Sequence, residues 1–259
     1  MVAVNLQIQI SHLVGLILGT AFLIASACVF NNYLDIEIDQ KMQRTAKRQL
    51  VTGSIKIKNA LIFALILGLI AFILLAVLTN LVVFLIGLIA FIFYVIIYGY
   101  FKRHSIYGTL IGTIPGAASL AAGYLTNSNH LTLVLGLLVL IMVFWQLAHF
   151  YAISIYRYDD YRQASLPVWS VIKGVIKTKN QIILNQLLLV IVSLMVGLFA
   201  RQLRYFSLIF TLITLSWLIY SLLLASRYKI KLWAKKIFVS SLIINLVFIL
   251  LLIFNFLIK

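Results

Sequence analysis

All five acidic residues of this chain fall in two short stretches, Asp35, Glu37 and Asp39 in one and Asp159 and Asp160 in the other. In the first stretch Asn31, Asp35 and Asp39 recur every four residues. On a continuous helix that spacing puts the three side chains on one face, about 6 Å apart per step. Carboxylates so placed repel one another unless a cation lies between them. Few, hard oxygen donors from Asp and Asn suit Mg²⁺ held jointly with the phosphates of a substrate. Glu37 points to the opposite face, where an i,i+4 pair with Lys41 is its expected role. Beyond the carboxylates, Lys41, Arg44 and Arg48 follow at i, i+3, i+7, again one helical face, and Lys102 and Arg103 form a second basic pair. Guanidinium forks match phosphate oxygens two at a time. Basic residues in such places are equally ordinary anchors of membrane topology.

The elements that must position these residues are membrane spans. Of 259 residues, 64% are hydrophobic and only 10% charged, with a mean hydropathy of +1.14. Soluble domains are closer to half apolar and a quarter charged, so a water-soluble globule is excluded. A helix crossing a bilayer needs roughly 20 apolar residues. Runs of that kind occur near 9–30, 59–79, 81–100, 108–125, 131–153, 181–200, 206–225 and 237–258, the fourth being the weakest because it is rich in Gly and Ala. They lack the short alternating pattern of barrel strands. The first run lacks the charged leader of a signal peptide. The expectation is an all-α, polytopic membrane protein of about eight transmembrane helices.

Basic residues sort by side. Lys41, Arg44, Lys47, Arg48, Lys56, Lys58, Lys102, Arg103, Arg157, Arg162, Lys173, Lys177, Lys179, Arg227, Lys229, Lys231, Lys235 and Lys236 lie in alternate connections, against Arg201, Arg204 and Lys259 on the other side. By the positive-inside rule the first set, with both acidic stretches, is cytoplasmic, and both termini face outward. The same partition accounts for most of the net charge of +16 without nucleic acid. The single cysteine, Cys28, excludes an internal disulfide and reads as a small buried thiol. Long and short connections alternate alike in spans one to four and five to eight, which suggests a parallel duplication about an axis normal to the membrane. Carboxylates and basic groups at the rim of a membrane-level cavity read as a Mg²⁺–diphosphate site, and a diphosphate in lipid-lined surroundings implies an isoprenoid tail as its partner.

The stretch from Cys28 to Arg48 carries N-x-x-x-D-x-x-x-D at Asn31, Asp35 and Asp39, with Arg44 and Arg48 following, and so resembles the UbiA-type intramembrane prenyltransferases. Three further segments, Lys102 to Thr109, Trp145 to Arg157 and Asp160 to Val168, narrow the resemblance to the protoheme IX farnesyltransferase (haem O synthase) branch, and it covers nearly the whole chain. The resemblance implies a single integral-membrane domain over 1–259: a helical bundle around a central cavity, capped on the cytoplasmic side by the two acid-bearing loops. It implies transfer of farnesyl from farnesyl diphosphate to a vinyl group of protoheme IX, with addition of water, giving haem O. Haem A synthase or terminal-oxidase assembly would stand downstream, and membrane lipid would surround the chain in a bacterial plasma membrane. Carried over residue by residue, Asn31, Asp35, Asp39 and Asp160 would hold Mg²⁺ and act in catalysis. Lys41, Arg44, Arg48, Lys102, Arg103 and Arg157 would contact the diphosphate. Asp159 stands where relatives can be basic and is left out of the metal set.

Ionisation of an allylic diphosphate needs its charge neutralised and the resulting cation shielded from water. Tyr33, Trp145, Tyr151 and Tyr156 lie near the motifs, where aromatic faces could stabilise that cation or serve as interfacial belt residues. Trp145, Tyr156, His104 and His149 are the candidates for contact with the acceptor. His149, near the cytoplasmic end of span five, reads either as a haem contact or as a packed, hydrogen-bonded core histidine. His12 and His130, on the outer side, read as incidental. Two departures from the family stand out. Its usual first helix has no counterpart among the spans expected here, which would account for the outward N-terminus. Gly116, Ala117 and Ala118 follow Pro115 where relatives carry a proline pair. The competing functions are a UbiA-type transferase with another acceptor, such as 4-hydroxybenzoate, and a non-catalytic haem carrier or transporter. A transporter would place ionisable groups near the bilayer midplane, where its spans are broken.

Overall fold

The computed structural model describes residues 9–126, 128 and 130–257; Lys259, counted above on the outer side, lies outside them. The described elements are helical: α1 (Ile10–Leu34), α2 (Ile36–Gln40), α3 (Gln49–Thr52), α4 (Ile57–Leu78), α5 (Leu81–Ile92), a π-helical segment (Phe93–Tyr98) running into α6 (Gly99–His104), α7 (Gly108–Leu125), α8 (Leu133–Tyr156), α9 (Tyr158–Gln163), α10 (Trp169–Ile172), α11 (Val175–Phe199), α12 (Arg204–Arg227) and α13 (Ile230–Leu257). Among the described residues seven helices are long and apolar enough to cross a membrane, α5, the π-helical segment and α6 counting as one. The eighth expected span is α7, at its expected 108–125 but with Pro115 inside it and Gly, Thr and Ala in place of large apolar residues. The all-α reading stands.

The helices overrun their apolar runs, and mainly at one end. The run 81–100 continues to His104, that at 131–153 to Tyr156, and those at 181–200 and 237–258 begin at Val175 and Ile230. Each overrun enters a basic connection. Lys, Arg and Gln are good helix formers whose long stems lie along apolar surface while the charge reaches water, so the helix has no reason to stop where the apolar run does.

Two compact units divide the chain. The first joins residues 9–126 to the strap Asp159–Val168. Within it α1 lies along α4 through small residues: a Cβ at Gly15 would collide with the Leu78 Cβ, one at Gly19 would meet the Leu75 side chain at 2.7 Å, and Ser26 Oγ donates to the Ala64 carbonyl across the pair at 2.7 Å. Such small-residue seams let backbones approach closely where lipid supplies no hydrophobic drive between helices. Large side chains face out instead: Ala64 and Ala71 on α4 are fully buried, whereas Phe63 and Ile73 are 56% and 60% exposed. Cys28 is exposed, which corrects the expectation of a buried thiol.

The second unit comprises His130–Tyr158 and residues 169–257. Here α8 packs on α11 and α13, and α12 on α11 and α13. Polar side chains tie these helices together: Gln186 Nε2 donates to Ser221 Oγ at 2.8 Å, Trp233 Nε1 to the Ser221 carbonyl at 2.9 Å, and Trp217 Nε1 to Ser240 Oγ at 2.8 Å.

Candidate active site

In the first unit α1 ends at Leu34, and Asp35 (φ −90°, ψ 3°) marks the break. The helical register survives it. The Asp35 amide donates to the Asn31 carbonyl at 2.9 Å and the Asp39 amide to the Asp35 carbonyl at 2.8 Å. Asn31, Asp35 and Asp39 therefore share one face, as their spacing predicts, and all three are buried.

Each carboxylate has its own cations. Asp35, 1% exposed, receives Asn31 Nδ2 on Oδ2 at 2.9 Å, the Lys102 ammonium on the same oxygen, and Arg103 Nη2 on Oδ1 at 2.8 Å. Arg103 is aimed by a second bond from Nη1 to the Gly99 carbonyl at 2.8 Å. Asp39 Oδ2 receives Arg48 Nη1 at 2.5 Å. That contact exists because the chain turns after Gln40, and Thr45 Oγ1 donates to the Asp39 carbonyl at 3.1 Å to hold the turn. A carboxylate as buried as Asp35 is tolerable only with such full pairing. Three basic groups against two carboxylates leave the cluster net positive, a setting that attracts an anion.

The strap Asp159–Val168 brings Asp160 into the same unit. Its Ala164 and Leu166 form a small core with Met42, and Tyr161 and Ile38 pack against it, so the second acidic stretch docks on the segment that follows Asp39. Asp160 is buried and makes no ion pair among the described residues. One further atom is left over: Asn31 Oδ1 is buried without a hydrogen-bond partner. An orphaned amide oxygen and an unpaired buried carboxylate are the donor chemistry that Mg²⁺ prefers. No three His, Cys, Asp or Glu side chains among the described residues converge on one metal position. A divalent ion here would thus draw further oxygens from its substrate, which is how Mg²⁺ is usually bound.

Other expected members of the site stand apart. Lys41 and Arg44 are exposed, because residues 41–47 are turns rather than the helix that would align them with Arg48. Glu37 is exposed and makes no ion pair with Lys41 among the described residues. An exposed pair of that kind gains little in water. Tyr33 is exposed on α1. His104 is exposed too, its Nδ1 2.8 Å from the Tyr100 carbonyl and its ring stacked on Tyr100.

The remaining candidates lie in the second unit. His149 on α8 is buried, stacked on Trp145 with ring centroids 5.2 Å apart, flanked by Phe238 at 5.1 Å, and its Nδ1 lies 2.7 Å from Ser241 Oγ on α13. Trp145 Nε1 donates to the Ser241 carbonyl at 2.7 Å. Tyr156 stacks on Phe238 and carries two cations over its ring, Arg157 at 4.7 Å and Lys235 at 5.7 Å. Tyr151 is buried near Trp169. Sequence reasoning missed Ser241, Phe238 and Lys235. The available signal was Ser240-Ser241 inside the last apolar run, since polar residues in a span tend to bond across helices.

The UbiA prenyltransferase family profile matches residues 1–254. The chain is 39% identical over 230 residues to a protoheme IX farnesyltransferase of Edwardsiella ictaluri, covering 88% of this chain and 77% of that one. It is 38% identical over 238 residues to that of Protochlamydia amoebophila, covering 92% and 84%. Its fold is that of a UbiA homologue from Archaeoglobus fulgidus solved with DMAPP and Mg²⁺: the TM-score is 0.79 over 99% of this chain and 91% of the other, at 18% identity.

Proposed function

The chain belongs to the UbiA prenyltransferase family, and on that premise we propose that it transfers farnesyl from farnesyl diphosphate to a vinyl group of protoheme IX, with addition of water, to give haem O. The observation that carries the reading is the Asp35 cluster: a buried carboxylate between Lys102 and Arg103, beside the unpartnered Asn31 Oδ1. The acceptor is inferred from relatives named protoheme IX farnesyltransferase at 38–39% identity over most of this chain.

Asn31, Asp35, Asp39 and Asp160 would hold Mg²⁺, which when bound supplies positive charge against the departing diphosphate. In the chain alone, Lys102, Arg103 and Arg48 keep the carboxylates neutralised. When a diphosphate enters, these basic groups turn toward its oxygens and free the carboxylate oxygens they had occupied. Arg157 is the further diphosphate contact, and Lys41 and Arg44, being exposed, act as attracting charges. The allylic C–O bond then breaks, the electron pair leaves with the diphosphate, and the vinyl carbon attacks the allylic carbon. Water captures the cation formed beside the macrocycle and loses a proton. His149, Trp145 and Tyr156 bind the acceptor, with His104 a more peripheral contact.

The protein is a multi-pass membrane protein. We place it as one catalytic domain in the bacterial plasma membrane with both acidic stretches cytoplasmic, on the strength of the asymmetric basic residues. Its product would pass to haem A synthase or directly to a terminal oxidase.

The test is to supply membranes containing the chain with farnesyl diphosphate, protoheme and Mg²⁺ and to separate haems by chromatography with absorbance detection. A more hydrophobic haem is expected, abolished by EDTA and by Asp35→Asn. Undiminished haem O from Asp35→Asn would refute the metal assignment, and prenylation of another acceptor in place of protoheme would refute the substrate.

A further inference from the structure

His149 and Ser241 meet between α8 and α13, inside one compact unit. The hydrogen bond between them can run in either direction, and counting protons selects one. The single proton of Ser241 Oγ reaches the Phe238 carbonyl at 2.6 Å, the usual back-bond of a helical serine. With the proton there, the serine oxygen accepts from His149 Nδ1–H and both donors are used. In the reverse arrangement Ser241 donates to a bare Nδ1 and the ring proton moves to Nε2. Among the described residues Nε2 has no hydrogen-bond partner, so the first arrangement is the one that uses both donors within the protein.

We infer that Ser241 is a positioning residue that holds His149 as its Nδ1–H tautomer, so that Nε2 offers its lone pair as an axial ligand to the haem iron of the acceptor. The inference rests on the protoheme reading above and deepens it. An imidazole whose Nδ1–H is committed to an oxygen acceptor is the ordinary form of a histidine metal ligand, its partner fixing tautomer and ring orientation together. Ring orientation is constrained here from three sides: Trp145 stacks on the imidazole, Phe238 flanks it and Phe150 meets it edge-on, while the Trp145 indole also binds the Ser241 carbonyl at 2.7 Å.

A second observation fits the same ligand. The aromatic row runs from His149 through Phe238 to Tyr156, over which Arg157 and Lys235 sit at 4.7 and 5.7 Å from the ring centroid. An iron ligand at one end and the Lys235 ammonium at the other suit a flat macrocycle bearing carboxylates on one edge. Holding the iron would fix the macrocycle plane, and with it the vinyl group that reacts.

The experiment titrates the full chain in lipid nanodiscs with ferric protoheme, and in parallel with iron-free protoporphyrin, without farnesyl diphosphate. The wild type should give the absorption and paramagnetic-resonance signature of imidazole-ligated haem, and His149→Gln should lose it. Ser241→Ala should weaken protoheme binding by about tenfold or more, the scale on which such supporting partners act. It should leave iron-free protoporphyrin binding unchanged. Ser241→Thr, which keeps the hydroxyl, should restore the signature. Equal loss of both porphyrins in Ser241→Ala would mean simple packing and overturn the inference, as would unchanged protoheme binding. An imidazole signature surviving in His149→Gln would move the ligand elsewhere. A wild type that binds no protoheme yet prenylates another acceptor would overturn the acceptor reading itself.

Discussion

Set beside each other, the segments α1–α4 and α8–α11 follow one plan with different chemistry. Each has a long apolar helix, a break, a short helix bearing acids, a four-residue helix, a glycine at positive φ and a long returning helix. This is the order expected of a duplication by four spans. The first residue past the long helix is Asp35 in one segment and Arg157 in the other. Asp35 gathers Lys102 and Arg103, while Arg157 lies over the face of Tyr156. The backbone plan decides where a side chain emerges at the end of a span. Residue type at a few such positions then makes one place a charge-dense anchor for a phosphate and the other an aromatic platform. That difference yields predictions of decreasing size.

The largest concerns Asp35. Asp35→Asn should lower turnover on the order of a hundred- to a thousandfold, the range seen when one preorganised electrostatic group is removed. Binding of protoheme to the His149 cluster should stay within twofold of wild type, roughly the noise of additivity between separate sites. Parallel measurement of turnover and of the haem absorption titration checks both. A matched loss in the two would break the division of labour between the regions.

Next come the cations. Lys102→Met or Arg103→Met removes a charged hydrogen bond to Asp35, a loss of about 1.5–3 kcal/mol or roughly ten- to a hundredfold. In steady-state kinetics it should raise the KM for the prenyl diphosphate. Arg157→Met should give a smaller change in that KM if its cation–π contact with Tyr156 is its main role, since such contacts are worth about 0.5–2 kcal/mol. Equal effects from Arg103 and Arg157 would assign both to the diphosphate.

Gly108→Ala probes how the second basic pair is set. A Cβ there would lie 2.8 Å from Lys102 Cα and 3.0 Å from its amide nitrogen, backbone atoms that cannot swing aside. Overpacking of this kind costs about 1–3 kcal/mol. The unfolding midpoint in detergent should fall, and the KM for prenyl diphosphate should rise with it because Lys102 is displaced.

Much of this was readable in the residues. The spans follow from apolar runs long enough for a bilayer, and Asn31, Asp35 and Asp39 share a face because the i→i+4 backbone bonds persist through the break at Asp35. Helix ends were less legible, since basic residues extend a helix as readily as they end a membrane run. The alignment of Lys41, Arg44 and Arg48 assumed a helix that stops at Gln40; Arg48 reaches Asp39 through a turn, a tertiary outcome that spacing alone does not encode. Ser241 was hardly more legible: a serine in the last span signals a bond to another helix, but not that packing sets it against His149, 92 residues away.

The smallest effects test the duplicated plan itself. Gly53 (φ 74°, ψ 6°) follows α3, and Gly174 (φ 87°, ψ 156°) follows α10 after Lys173. A Cβ added at either meets nothing within 4 Å, so a substitution there reports backbone strain alone. Gly53 is in the left-handed region, where an L residue is disfavoured by roughly 1–2 kcal/mol and Asn is tolerated. Gly174 occupies a region that is essentially glycine's own, with a strain of order 1–3 kcal/mol for other residues. Gly174→Ala should therefore lower the unfolding midpoint more than Gly53→Ala, and Asn should rescue position 53 but not 174. If both positions tolerated Asn equally, the two glycines would be interchangeable turns. If only Gly53 does, the segments share an element order while each keeps its own turn geometry, in line with the different side chains each must deliver.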